Sequence, residues 1–163
     1  FGSLKPFVES GNQVSQAQLD MTADVMAHSL VYWTQDLIDR GMLANNSRIF
    51  AMTSSGSTRA MPSYGAVSAA KAALEAHIRQ LAMELAPLGI TANAILAGVT
   101  DTPALRKIPG NVEMIKMAAN RNPSGRLTTP EDVAEAISLF TEPGAYWITG
   151  NTIGVDGGEN IVC

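Results

Sequence analysis

Two apolar runs flank one long amphipathic stretch, and that order restricts the possible folds more than any other feature of the sequence. RIFAMTSSGS begins with Ile49, Phe50 and Met52 and then turns to Ser and Gly, the pattern of a buried strand over 48–54 that empties into a loop. ITANAILAGV, residues 90–99, reads as a second buried strand. Between them Val67, Ala70, Leu74, Ile78, Leu81 and Leu85 step by three and four down one helical face until Pro87 and Gly89 stop it. A strand, a helix and another strand in this order predict a parallel pair joined by a right-handed crossover.

The rest of the chain extends the alternation. Leu19, Val25, Met26, Leu30, Trp33, Leu37 and Ile38 recur at mostly helical spacing and Gly41 closes the stretch, which predicts a helix over 20–40 lying on one face of a sheet. Thr129, Pro130 and Asp132 supply an N-cap, a proline at the first position and an acid at the third, ahead of Val133, Ala136, Ile137 and Phe140. NTIGVDGG, 151–158, is the last predicted strand. The fold class is therefore α/β with about three parallel strands and flanking helices. A parallel sheet buries both faces, so the strand at 48–54 calls for neighbours that this sequence does not contain. The Ala-rich 66–76 stretch predicts close packing against another helix.

Composition narrows the function classes. The chain has 163 residues with a net charge of −4, and its 11 Lys and Arg are scattered, so no basic surface for nucleic acid is expected. No apolar run approaches the ~18 residues of a bilayer span, and no membrane partner is expected. The single cysteine, Cys163, cannot close an internal disulfide and fits a reducing compartment, with the cytoplasm as the expected location. Phe1 is not an initiator Met, which points to a truncated or processed chain. His28 and His77 have no metal-ligand spacing with Cys163 or with any acid cluster and are read as structural; no metal site is expected. Trp33, Tyr146 and Trp147 are read as packing or interface residues.

One pair of side chains stands out as chemistry. In SYGAVSAAKAALEA, residues 63–76, Tyr64 and Lys71 lie seven positions apart at the start of the long helix. Along a helix seven steps separate side chains on one face by ~10 Å, against ~6 Å for four steps. Either residue alone reads more simply as a turn aromatic or a solvated lysine.

Taken together, the motifs resemble the short-chain dehydrogenase/reductases over almost the whole chain. TSSGS at a strand end, Tyr64 and Lys71 ahead of AAKAALEA, NAILAG followed by TDT, GRLTTPEDVAEAISLF and ITGNTIGVDGG occur in that family's order. In the common branch the tyrosine precedes the lysine by four positions, which here is Val67. The six residues between Tyr64 and Lys71 match instead the enoyl-acyl-carrier-protein reductases, as do Arg59, Ala60 and Pro62 before the tyrosine. The resemblance implies the carboxyl-terminal half of a Rossmann-like, doubly wound parallel sheet. It also implies NADH or NADPH as cofactor and a trans-2-enoyl thioester on acyl carrier protein as substrate.

Residue by residue, the resemblance gives Tyr64 the role of proton or hydrogen-bond donor to the substrate oxygen. Lys71 would bind the nicotinamide ribose. Ser54, seventeen positions before Lys71, would orient substrate or the Tyr64 hydroxyl, although a hydroxyl there can also serve only its own turn. Many enoyl reductases carry a tyrosine at that position, so Ser54 keeps a 3-oxoacyl or other carbonyl reductase open as an alternative. Asp24 replaces the asparagine with which the common branch holds a relay water. Gly98, Val99, Thr100 and Thr102 resemble the loop that meets the nicotinamide carboxamide and the pyrophosphate. For Thr102 a cap ahead of Pro103 is the other reading. Residues 100–122 would cover the acyl chain, with Leu105, Ile108 and Met114, together with Ile115 and Met117, facing lipid or packing as an amphipathic helix. The family's Gly-rich phosphate-binding turn is absent, so residues 1–163 are expected to be the carboxyl-terminal portion of one reductase domain. A non-catalytic fragment is the reading from a different class. The helices at 20–40 and 64–86 would pair across subunits in a homodimer or homotetramer.

Overall fold

The structure is a computed structural model that describes residues 2–108 and 110–162. Phe1, Pro109 and Cys163 lie outside the described residues, and with them the readings placed on the first residue and on the lone cysteine. Three parallel strands form the sheet: β1 Arg48–Thr53, β2 Thr91–Ala97 and β3 Thr152–Val155, in the order β1-β2-β3. Thr53 pairs with Leu96 and Ala97 with Val155, so the carboxyl ends of all three strands reach the same edge. The expected strands at 90–99 and 151–158 are shorter than the sequence pattern, because Gly98 and the turn at Gly157 and Gly158 leave the ladder.

β2 is buried from Thr91 to Ile95 at odd and even positions alike, as a central parallel strand covered on both faces must be. The long helix α3, Gly65–Leu85, packs on β1 and β2 and buries all six residues of its predicted apolar row, Val67, Ala70, Leu74, Ile78, Leu81 and Leu85. Gly89 ends the connection in a left-handed turn, φ +67°. Ile78 is 1% exposed and joins Leu74, Leu81 and Ala94 in one core. Ile78→Val removes one methyl from that core and lowers unfolding stability by about 0.5–1.5 kcal/mol, read from denaturant melts. The site geometry, set at the other end of α3, stays intact.

The amino-terminal helix differs from expectation in start, register and partner. It begins as α1, Gln16–Ala23, four residues early, because Ser15 and Gln18 form a reciprocal capping box. A π-helical turn, Asp24–His28, then joins it to α2, Ser29–Asp39. Thr22, ahead of this turn, is buried; within and after it Ala27 and Thr34 are buried and Met26 and Leu30 pack half-buried on the core, while Val25 and Trp33 face outward at 50% and 67% exposure. The helix lies chiefly on α3 rather than on the sheet. Ala66 and Ala70 are buried at that end of α3, as the small side chains of 66–76 led one to expect.

After β2 the chain passes one 3-10 turn, Leu105–Lys107, and forms α4, Asn111–Arg121. Then comes α5, Pro130–Thr141, opened by the predicted Thr129 cap, whose hydroxyl accepts from Asp132 N while the Asp132 carboxylate accepts from Thr129 N. Arg126 forks onto Asp132 at 2.6 and 2.9 Å and, with these bonds, holds that carboxyl well below the usual carboxylate range. Among the described residues no helix is long and apolar enough to cross a membrane.

Candidate active site

Ser54, Tyr64, Lys71 and the loop that starts at Gly98 lie at the carboxyl edge of the sheet, the edge at which open α/β sheets bind ligands. Ser54 follows the last residue of β1 and caps a 3-10 turn, Ser55–Ser57, its Oγ accepting from Gly56 N at 3.2 Å. Tyr64 is not inside α3 but is its N-cap residue, at φ −96° and ψ 0°. It follows Ser63, whose φ of +58° is the left-handed conformation that a non-glycine residue adopts at a cost. That turn aims the phenol back toward β1. The Tyr64 hydroxyl donates to Ser54 Oγ at 3.4 Å, longer than the 2.5–3.0 Å of a firm O–H···O bond, so an incoming oxygen can take its place. Ser54 thus bonds its own turn and also lies against the phenol.

Sequence reasoning missed Gly56. This residue is buried against the Tyr64 ring: a Cβ added there would fall 2.4 Å from Tyr64 Cε1 and 2.8 Å from Cδ1. Its carbonyl accepts from Ser68 Oγ at 2.5 Å, which ties the turn to the first turn of α3. In the sequence Gly56 reads only as a loop marker, because nothing local distinguishes a glycine kept for space from one kept for a turn.

Lys71 lies two turns along α3, half-buried, and its Nζ donates to the Met52 carbonyl of β1 at 2.7 Å. Burial pushes its pKa down and the Glu75 carboxylate, one turn further on, pulls it back up. Glu75 is itself fixed, accepting from the Thr53 hydroxyl at 2.6 Å. Glu75→Gln keeps an acceptor for Thr53 and deletes the charge, so the Lys71 pKa falls further. Any step that needs the ammonium is then lost at a lower pH than in the parent, and the alkaline limb of the pH–rate profile moves to the acid side. A profile that stays in place contradicts this.

The loop after β2 makes several bonds of its own. Gly98 N donates to Val155 O at 3.1 Å, Val99 N to Glu159 Oε2 at 2.8 Å, and Thr100 Oγ1 to Gly98 O at 3.0 Å. Thr102 Oγ1 accepts from Leu105 N at 3.2 Å, the capping role weighed for it from sequence. Leu105, Ile108, Met114 and Ile115 are half-buried, whereas Met117 is 65% exposed. All five lie on the turn Leu105–Lys107, just after it, or on α4.

His28 and His77 pair directly, Nδ1 to Nε2 at 3.0 Å between the π turn and α3. Burial and the neighbouring His28 push the His77 pKa down. Among the described residues no group of three or more His, Cys, Asp or Glu could hold a metal ion. Trp147, 83% exposed, meets Tyr146 edge-on at 5.7 Å on the surface. A cavity of about 120 Å³ lined by Asn122, Arg126, Thr128 and Gly157 does not include the Tyr64 group.

Comparison with known proteins places this arrangement. The 1-cyclohexenylcarbonyl-CoA reductase of Streptomyces collinus is 38% identical over 123 residues, 74% of this chain and 44% of that protein. The crystal structure of the NADH-dependent enoyl-acyl-carrier-protein reductase of Aquifex aeolicus superposes with a TM-score of 0.85 at 31% identity, covering 91% of this chain and 57% of that one. The reductase LugOII, described as catalysing a keto-reduction in lugdunomycin biosynthesis, superposes at 0.78 with 28% identity, covering 91% of this chain and 57% of that one. The chain spans about half the length of the curated relatives it matches. The family profile described as enoyl-(acyl carrier protein) reductase matches residues 3–160, and the chain belongs to that family.

Proposed function

We propose that the protein containing this chain reduces trans-2-enoyl thioesters carried on acyl carrier protein, with NADH or NADPH as reductant. The observation that supports this best is the grouping of Tyr64, Ser54 and Lys71 at the carboxyl edge of β1, with Tyr64 set back to the N-cap of α3. In an enoyl thioester charge collects on the carbonyl oxygen, two carbons from the reduced β-carbon. A phenol displaced outward from Lys71 suits that separation. Tyr64 donates a hydrogen bond to the forming enolate oxygen, the kind of preorganised donor whose value lies in the transition state.

The residues present fit the nicotinamide end of a dinucleotide. An ammonium has three N–H donors and Lys71 uses one on Met52, leaving two for ribose hydroxyls. Among the described residues the Val99 carbonyl and the Thr100 N–H are not consumed by the loop's own bonds, and they are the groups proposed to meet the carboxamide. When bound, the nicotinamide supplies the hydride. Leu105, Ile108 and Met114 are proposed to cover the acyl chain, with Gly98 and Thr102 shaping the cofactor side. A homodimer or homotetramer is part of the same reading.

A second reading, reduction of 3-oxoacyl thioesters or another carbonyl, is favoured by one observation: the Tyr64 hydroxyl already meets Ser54 Oγ, the pairing that suits a ketone oxygen. Turnover of crotonyl against acetoacetyl thioester by the full-length protein separates the two. Reduction of the crotonyl substrate alone is expected; reduction of acetoacetyl alone overturns the first reading.

A further inference from the structure

The turn that follows β3 binds the loop beside the candidate site more tightly than a surface turn requires. Glu159 is 3% exposed, although carboxylates are seldom buried unless fully paired. Its Oε1 accepts from Arg121 Nη2 at 2.6 Å and its Oε2 from the Val99 backbone N–H at 2.8 Å. Arg121 is the last residue of α4, and the Val99 N–H lies just ahead of the Val99 carbonyl and Thr100 N–H proposed to meet the carboxamide. The fit is close: a Cβ on Gly98 would stand 3.0 Å from Glu159 Oε2 and 2.3 Å from Thr128 Oγ1, so glycine is needed under the carboxylate.

The turn itself is braced. Asp156 accepts from Gly158 N and Asn160 N, both at 3.0 Å, and Asn122 Nδ2 donates to Asp156 O at 2.9 Å. Arg59, from the loop between Ser54 and Tyr64, donates to Asn160 O at 2.7 Å. Three segments around the candidate site therefore attach to residues 156–160. Of these attachments only Glu159 holds a backbone group of the cofactor-side loop by charge, and charge-assisted bonds are the stronger kind.

We infer that Glu159 is a positioning residue for the dinucleotide: by holding the Val99 N–H and Arg121 together it fixes the 98–102 loop and the end of α4 as one unit. The inference rests on the reductase reading above. Without the carboxylate, the loop must be ordered by the cofactor on binding, and the ordering cost appears as lost affinity.

Glu159→Ala and Glu159→Gln, made in the full-length protein, test this by two readouts. The first is amide hydrogen exchange of peptides covering 98–105 and 111–121; the second is the dissociation constant for NADH and NADPH from nucleotide fluorescence. Glu159→Ala is expected to speed exchange in both peptides and to weaken dinucleotide binding about tenfold, the effect of losing a charged hydrogen bond of about 1.5 kcal/mol. Glu159→Gln keeps an acceptor for Val99 and loses the ion pair. It is expected to loosen 111–121 and, with the charge gone from the Val99 bond, to weaken dinucleotide binding by a smaller factor of about threefold, which also serves if the alanine variant does not fold. A purely structural staple would lower the unfolding temperature of both variants with parent-like dinucleotide affinity in the folded protein, and that result overturns the inference while leaving the reductase reading in place. A parent that binds neither NADH nor NADPH overturns the reading, and the inference with it.

Discussion

Tyr64→Phe is expected to lower kcat for an enoyl thioester by about 10²–10³-fold, the loss typical of one preorganised donor to a developing oxyanion. The substitution is narrow. The phenyl ring keeps its place against Gly56 and only the hydroxyl leaves, together with its 3.4 Å contact to Ser54 Oγ, which is too long to contribute much stability. Dinucleotide affinity should not move, since Lys71 and the 98–102 loop bond elsewhere, to Met52, Val155 and Glu159. The signature is therefore a fall in kcat and in kcat/KM together, with KM for the thioester little changed, as expected when an interaction made only in the transition state is removed. A variant that turns over at the parental rate would mean that Tyr64 does not touch the reacting oxygen. A variant that instead loses only NADH or NADPH binding would move the residue from the substrate side to the cofactor side.

The parts of this site that the sequence could express are those encoded by period and order. The apolar row from Val67 to Leu85 has a helical period and a single partner, the sheet, so all six of its residues are buried where the pattern put them. Thr129 and Asp132 form their capping box because both halves of it lie within one turn. The amino-terminal helix is different: a π turn inserts a residue into the repeat, and a pattern read at constant period places Met26 and Leu30 against the core but also turns Val25 and Trp33 inward, where the structure exposes them. Ser15 and Gln18 have the spacing of a capping box but stand ahead of a weakly apolar turn, so apolar spacing alone places the helix start four residues late. Glu159, Gly56 and the His28–His77 pair depend on contacts across 60, 8 and 49 positions of sequence, and a single sequence carries no trace of which distant atom a residue meets. The seven-residue spacing of Tyr64 and Lys71 was visible, but not the geometry behind it. Tyr64 lies outside the helix, so the direction of its ring is set by the left-handed Ser63 and by Gly56 rather than by helical repeat.

That dependence makes Gly56→Ala the sharpest probe of the site, with an expected loss of about 10² in kcat from a single added methyl group. Gly56 has no left-handed φ, so alanine meets no backbone penalty and the conflict is one of space alone. The new methyl would stand 2.4 Å from Tyr64 Cε1 and 2.8 Å from Met61 Cε. The tip of Met61 can swing away. The tyrosine backbone cannot, because Tyr64 N donates to Met61 O at 3.2 Å and Tyr64 O accepts from Ser68 N at 2.8 Å in the first turn of α3. The ring must pivot, and a shift of about 1 Å at the hydroxyl is enough to cost two orders of magnitude in rate. A double-mutant cycle separates this from general damage to the turn. If Gly56 acts through the phenol, Gly56→Ala made on top of Tyr64→Phe should lower kcat no further, since the group it displaces is already gone. Full additivity of the two losses would show that Gly56 supports something other than the Tyr64 hydroxyl, most directly the turn that carries Ser54 and the carbonyl that accepts from Ser68.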